Sequence, residues 1–147
     1  MRKFLIALFC LFSLTVTASA AGVVSQLESN TRIDTDGTCE VSLTMQLRID
    51  SDESIPSFPV PEEAKDVSVN GRSVRAKSQG GYRQVELSEA ISGAGIHTVT
   101  IRYSLPDSIT LDKKGIPFLN LELLCGFAYP IDHMGFSITL PGAPENT

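Results

Sequence analysis

The sequence predicts an all-β protein, an antiparallel β-sandwich of the immunoglobulin-like kind with about eight strands. Three observations carry this. Apolar and polar residues alternate with a period of two over long stretches, as they must where one face of a strand is buried and the other wet. Turn residues recur at short intervals between those stretches. No segment shows a helical period. Two antiparallel sheets, each with one wet face, stacked over a common core give this pattern.

In chain order, "GVVSQLESNTRID" reads as a first strand, polar enough to be expected at an edge. Asp36-Gly37 then forms a hairpin turn into "TCEVSLTMQLRID". There Cys39, Val41, Leu43, Met45, Leu47 and Ile49 share one parity, and Glu40, Ser42, Thr44, Gln46, Arg48 and Asp50 take the other. "SIPSFPVPEEAKD" carries Pro56, Pro59 and Pro61 and is excluded from a central strand, since proline donates nothing to a ladder. It is expected as an extended crossover between sheets.

In "DVSVNGRSVRA" the pair Asn70-Gly71 predicts a two-residue hairpin turn with both central φ angles positive, setting Val67 opposite Val74. "YRQVEL", entered through Gly80-Gly81, is the next strand. "HTVTIRYSL" follows with Val99, Ile101, Tyr103 and Leu105 inward. "FLNLELLCGFAY" reads as one strand with Leu119, Leu121, Leu123, Cys125, Phe127 and Tyr129 on one parity, and "MGFSITL" as the last.

The ends bound location. Arg2 and Lys3, the apolar run "FLIALFCLFSLTV" and "TASA" with Ala18 and Ala20 form the three regions of a secretory signal. The run falls short of the roughly 20 apolar residues of a membrane span. Cleavage is expected after Ala20, and a lipoprotein role for Cys10 is disfavoured by the bulky Phe9 before it. Residues 1–20 are thus read as a signal peptide, 21–141 as one extracytoplasmic domain, and 142–147 as a linker-like tail. That tail has linker composition, which leaves two readings open, the front part of a longer protein or a free secreted domain, with any membrane association made through a region outside this chain.

Charge narrows the partners. Without Arg2 and Lys3, 10 basic residues face 17 acidic ones, for a net charge of −7. The basic residues are scattered. Such a domain repels phosphate backbones, so nucleic acid is excluded as a partner and an unknown protein or envelope component is expected.

Candidate chemistry is sparse. Cys125, Asp132 and His133 lie close in "LLCGFAYPIDHMG", the parts of a nucleophilic site. Parity, however, points Cys125 into the core, whereas His133 sits in a turn between Pro130 and the last strand. The expectation is strand, turn, strand, with no catalytic residue. Two outcomes stay open for the two cysteines of the mature chain. A Cys39–Cys125 bridge closes a loop of about 86 residues, worth ~4–5 kcal/mol by chain entropy if unstrained. Alternatively both remain buried, unreactive thiols.

No metal site or cofactor is expected. "DTDG" lacks the later acidic positions of a calcium loop, with Leu43 where the final glutamate would stand, and "DSDES" reads as a solvated acidic loop. G-x-S-x-G and H-E-x-x-H are both missing. There is no Trp, and of the three tyrosines Tyr82 alone has outward parity, which weakens a sugar-binding reading.

The succession "DGTCEVSLTMQLRI", "VSVNGRSVRAK", "GIHTVTIRYSL", "GFAYPIDHMGFSITLP" resembles the exported N-terminal region of predicted bacterial membrane proteins of domain of unknown function 2207. Gly95, His97, Val99, Ile101, Tyr103, Pro130, Ile131, Leu140 and Pro141 match that run. Tryptophans common around the aromatic-Pro segment are replaced here by Phe127 and Tyr129. The resemblance implies an extracytoplasmic β-sandwich preceding a transmembrane segment in full-length relatives, and it brings no catalytic residues.

The expected function is therefore a non-enzymatic exported domain of the bacterial cell envelope, an interaction or assembly module of a membrane-associated protein. The alternative is a small-ligand or glycan-binding module on loops 50–54 or 78–82, and a thiol-dependent enzyme using Cys125 and His133 is more remote. The polar first strand is the expected docking edge.

Overall fold

A computed structural model of the chain describes residues 22–50, 57–122, 124, 126–127 and 129–142. The expected signal peptide, the acidic loop 51–56, Cys125 and the tail beyond Gly142 lie outside the described residues. The described residues contain eleven strands and no helix, in chain order β1 (Val23–Ile33), β2 (Cys39–Ile49), β3 (Ser57–Pro61), β4 (Lys65–Val69), β5 (Arg72–Ser73), β6 (Lys77–Gln79), β7 (Tyr82–Glu86), β8 (Gly95–Leu105), β9 (Ile109–Leu111), β10 (Pro117–Leu119) and β11 (Met134–Thr139). Three sheets result, ordered β11-β1-β2-β8-β4-β5, β3-β7-β6 and β10-β9. The chain is all-β with antiparallel ladders throughout, except that β11 runs parallel to β1.

The alternation read from the sequence becomes register. β2 pairs antiparallel with β8 from Cys39 opposite Leu105 to Ile49 opposite Gly95, so the two inward rows lie side by side. On the outer face the Thr44 and Thr100 hydroxyls meet at 3.2 Å. Both expected turns form. Asn70 and Gly71 have φ of 49° and 78°, and the Val74 N–H donates to the Val67 carbonyl at 3.0 Å. Asn70 also ties the hairpin to β8: its N–H donates to the Thr100 carbonyl, and its Oδ1 accepts from the Thr100 N–H. At the β1–β2 turn the Gly37 N–H donates to Asp34 O, and the Asp36 carboxylate accepts from the Thr38 N–H at 2.9 Å.

One buried cluster joins the six-stranded and three-stranded sheets. Leu43, Met45, Leu47, Val99 and Ile101 come from the first, and Phe58, Val60 and Val85 from the second. Burying each such side chain contributes about 1.5–3 kcal/mol. Phe58 stacks on Phe127 with ring centroids 4.8 Å apart, and Phe127 on Tyr129 at 5.2 Å.

Three expectations are corrected. The proline-rich segment is a strand rather than a crossover: β3 holds Pro59 and Pro61, tolerated because it forms the edge of its sheet. The segment after Pro117 is not one long strand. Among the described residues of this segment Pro117–Leu119 pairs, and those beyond it are irregular up to β11, apart from a bridge between Val24 and Ile131. Gly126 (φ 62°) and Pro130 break the ladder, while Leu121, Leu124, Phe127, Tyr129 and Ile131 still pack on the core. Third, β1 is not an edge strand, because β11 lies along its outer side. Its polarity has another cause: Ser29 and Thr31 face inward and are buried with no partner for their hydroxyls among the described residues.

Candidate functional site

The residues nominated from sequence do not converge. Cys39 is a free, buried thiol at the head of β2, and Cys125, the other cysteine of the expected bridge or thiol pair, lies outside the described residues. His133 is exposed in the turn before β11, and its carbonyl serves the backbone, accepting from the Leu27 N–H at 2.9 Å. His97 Nε2 sits 3.0 Å from the Gly93 carbonyl. Among the described residues no three His, Cys, Asp or Glu side chains stand where they could hold one metal ion. Tyr82, expected to point outward, is half-buried with its hydroxyl 3.4 Å from Glu122 Oε1.

The feature that stands out is the edge at β11. It pairs with β1 through Leu27 opposite Met134, Ser29 opposite Phe136 and Thr31 opposite Ile138. Paired residues share a face, so Met134, Phe136 and Ile138 continue the inward row of β1. The core does not extend beneath them: Phe136 is 66% exposed and Ile138 41%. Leu140, next in the same parity, is 69% exposed. An apolar row thus runs along the last strand in solvent, beside the buried Ser29 and Thr31.

The backbone of the same strand is open. His133 turns its carbonyl to β1, and N–H and C=O groups alternate sides along a strand. Residues 135, 137 and 139 therefore face β1, and Met134, Phe136 and Ile138 aim their N–H and C=O groups away from it. Among the described residues no strand pairs with that side. Natural edges are blunted by lysine, proline or a bulge; residues 134–140 carry no charge, and proline comes only at Pro141.

The opposite edge differs. It is the two-residue β5, flanked by a hollow lined with Arg72, Glu86 and Glu89 and by the exposed Lys77–Glu86 ion pair. That pair raises the Lys77 pKa, first by hydrogen bonding and then by the charge of Glu86. A second, polar hollow lies on the outer face of the sheet, lined by Asn30, Arg32, Glu40, Ser42 and Arg102. The open edge expected on β1 lies instead on β11; parity alone nominates the row in "MGFSITL", but not its exposure.

No protein-family model matches the chain, and no curated protein matches it in sequence. Among solved structures, yeast LTA4 hydrolase is similar to it with a TM-score of 0.53 and 18% identity, over 82% of this chain. A second structure of the leukotriene A4 hydrolase of Saccharomyces cerevisiae gives 0.49, and a mutant M1 zinc metallopeptidase from Deinococcus radiodurans 0.43 at 12% identity. The chain spans 23% of the length of the first of these enzymes. At this identity the first match shows a likeness of fold: a β domain of this kind occurs within a larger enzyme.

Proposed function

We propose that this chain is an exported, non-enzymatic β domain of the bacterial cell envelope that works as an interaction or assembly module, with β11 as its binding strand. The observation that carries the reading is the open, uncharged edge of β11 with Phe136, Ile138 and Leu140 in solvent. Free backbone groups recruit a strand, and side chains of alternate parity select it. The signal-like residues 1–20 and the resemblance to the domain of unknown function 2207 proteins support placement outside the cytoplasmic membrane, with anchoring through a region beyond this chain. Two sheets sharing one buried cluster support the finer reading of an immunoglobulin-like sandwich.

The likeness to part of LTA4 hydrolase fits a β domain that serves beside other domains. Among the described residues Cys39 is buried within the core and His97 is engaged with Gly93, while Cys125, the thiol of the remote enzyme reading with His133, lies outside them. The polar hollow around Arg32 and Arg102 favours a small-ligand or glycan module as second reading.

The test is to place a photo-reactive amino acid at Phe136 in the full chain, expressed in a bacterial host, and to assay the purified protein against aminoacyl p-nitroanilides with and without zinc. Adducts at 136 and no turnover are expected. Zinc-dependent turnover would overturn the non-enzymatic reading, and a residue at 136 that gives no adduct would overturn the binding strand.

A further inference from the structure

We propose that the occupant of the β11 edge is a second copy of this chain: two β11 strands pair antiparallel about a two-fold axis at Ser137, joining two six-stranded sheets into one. The inference rests on the reading of β11 as a binding strand and names its partner.

Backbone direction restricts the register. The outward N–H and C=O groups belong to Met134, Phe136 and Ile138, so these even-numbered residues must oppose even-numbered residues of the second copy. An axis at Ser137 sets Phe136 against the second copy's Ile138 and Met134 against its Leu140. That is the register using the whole stretch 134–140, and it merges the two solvent-exposed apolar rows into one. A two-fold contact requires a self-complementary surface, and this row maps onto itself.

Charge selects the same register independently. Gly135 has no side chain, and the Glu28 carboxylate lies over its backbone; a Cβ there would collide with Glu28 Oε2. Glu28 thus reaches the rim of the sheet on the outer face. At the other end of β11, Thr139 pairs with Arg32. With the axis at Ser137, Gly135 of one copy opposes Thr139 of the other, so the Glu28 carboxylate is turned toward the second copy's Arg32, twice by symmetry. Arg32 is free to reorient, since its pairing with Asp34 at 3.4 Å is exposed and correspondingly weak. No charge on residues 134–140 opposes the approach of two chains that each carry net negative charge.

The decisive experiment uses Ser137→Cys. At an antiparallel position without paired backbone bonds, opposed Cα atoms lie about 4.5 Å apart, within reach of a disulfide. Mild oxidation of Ser137→Cys should give a covalent dimer on a non-reducing gel. Thr139→Cys, whose counterpart is Gly135, should stay monomeric, as should the unsubstituted chain.

Ile138→Pro removes an N–H that faces away from β1, together with the Ile138 side chain of the exposed row, so native mass spectrometry should find it folded and monomeric. Glu28→Arg and Arg32→Glu should each weaken the dimer about tenfold, and the double swap should restore it. A Ser137→Cys chain that crosslinks no better than Thr139→Cys overturns the homodimer, as does an Ile138→Pro chain that still dimerises. If Phe136 nevertheless photo-crosslinks to a different protein, the binding-strand reading survives and the homodimer does not. If neither occurs, both fall.

Discussion

Truncating Phe58 to alanine probes how the three-stranded sheet is held on the larger one. Phe58 is buried on β3, an edge strand kept in place by its pairing with β7 and by this ring. Removing a buried phenylalanine side chain costs about 3–5 kcal/mol, counting transfer and the cavity left behind. Its contact with Phe127 at 4.8 Å contributes about 0.5–1.5 kcal/mol of that. For a domain of this size each kcal/mol lowers the melting midpoint by about 4 °C, so Phe58→Ala should melt roughly 12–20 °C lower. Phe58→Leu retains most of the volume and should cost no more than about 1.5 kcal/mol.

Urea unfolding of Phe58→Leu, Phe127→Leu and the double variant gives the ring coupling directly, while the loss for Phe58→Ala measures burial. A loss below about 1 kcal/mol for Phe58→Ala, with additive leucine variants, would refute the packing of β3 and of the segment around Phe127 on a shared core.

Other outcomes follow from local geometry. Thr31→Val replaces a buried hydroxyl without a partner among the described residues by a methyl of the same shape, so the unfolding free energy from urea titration should rise by about 1 kcal/mol; a fall would reveal a partner for that hydroxyl. Asn70→Ala puts an ordinary residue at φ 49° and removes the Oδ1 that accepts from the Thr100 N–H, and thermal melts should show a loss of about 1–3 kcal/mol. The Asp36 carboxyl titrates below its ordinary value, chiefly because the Thr38 N–H donates to it. Its contribution is therefore complete above the unfolded pKa and is lost as pH falls through the lower folded one. Acid melts of Asp36→Ala should accordingly converge on those of the unsubstituted chain at low pH and separate above it.

Much of the large sheet was legible in the residues. The unbroken alternation of Cys39 through Ile49 and of Val99 through Leu105 needs one buried face, and the two strands pair along their full lengths. Asn70-Gly71 is a turn because few other pairs accept positive φ at both positions, and at Asp36-Gly37 the positive φ of Gly37 imposes the same kind of local constraint.

The misreadings came where local pattern and global packing separate. Leu119 to Tyr129 alternates like a strand, yet Gly126 takes a positive φ and Pro130 lacks an N–H, and Leu121, Leu124, Phe127 and Tyr129 pack on the core outside any ladder. The polarity of β1 suggested solvent, whereas Ser29 and Thr31 lie inside. Most consequential, the row Phe136, Ile138 and Leu140 has the composition of a core strand and stands in water. Which of two neighbouring strands is last in a sheet depends on long-range pairing, and no short window of sequence encodes it. The edge of the large sheet is for that reason expected at β1 and lies one strand further out, at β11.

Export is tested most directly by the mass of the chain recovered from a bacterial host after osmotic shock. A periplasmic protein beginning at Ala21, lighter than the full chain by residues 1–20, is expected. Intact protein beginning at Met1 and confined to the cytoplasm would contradict it.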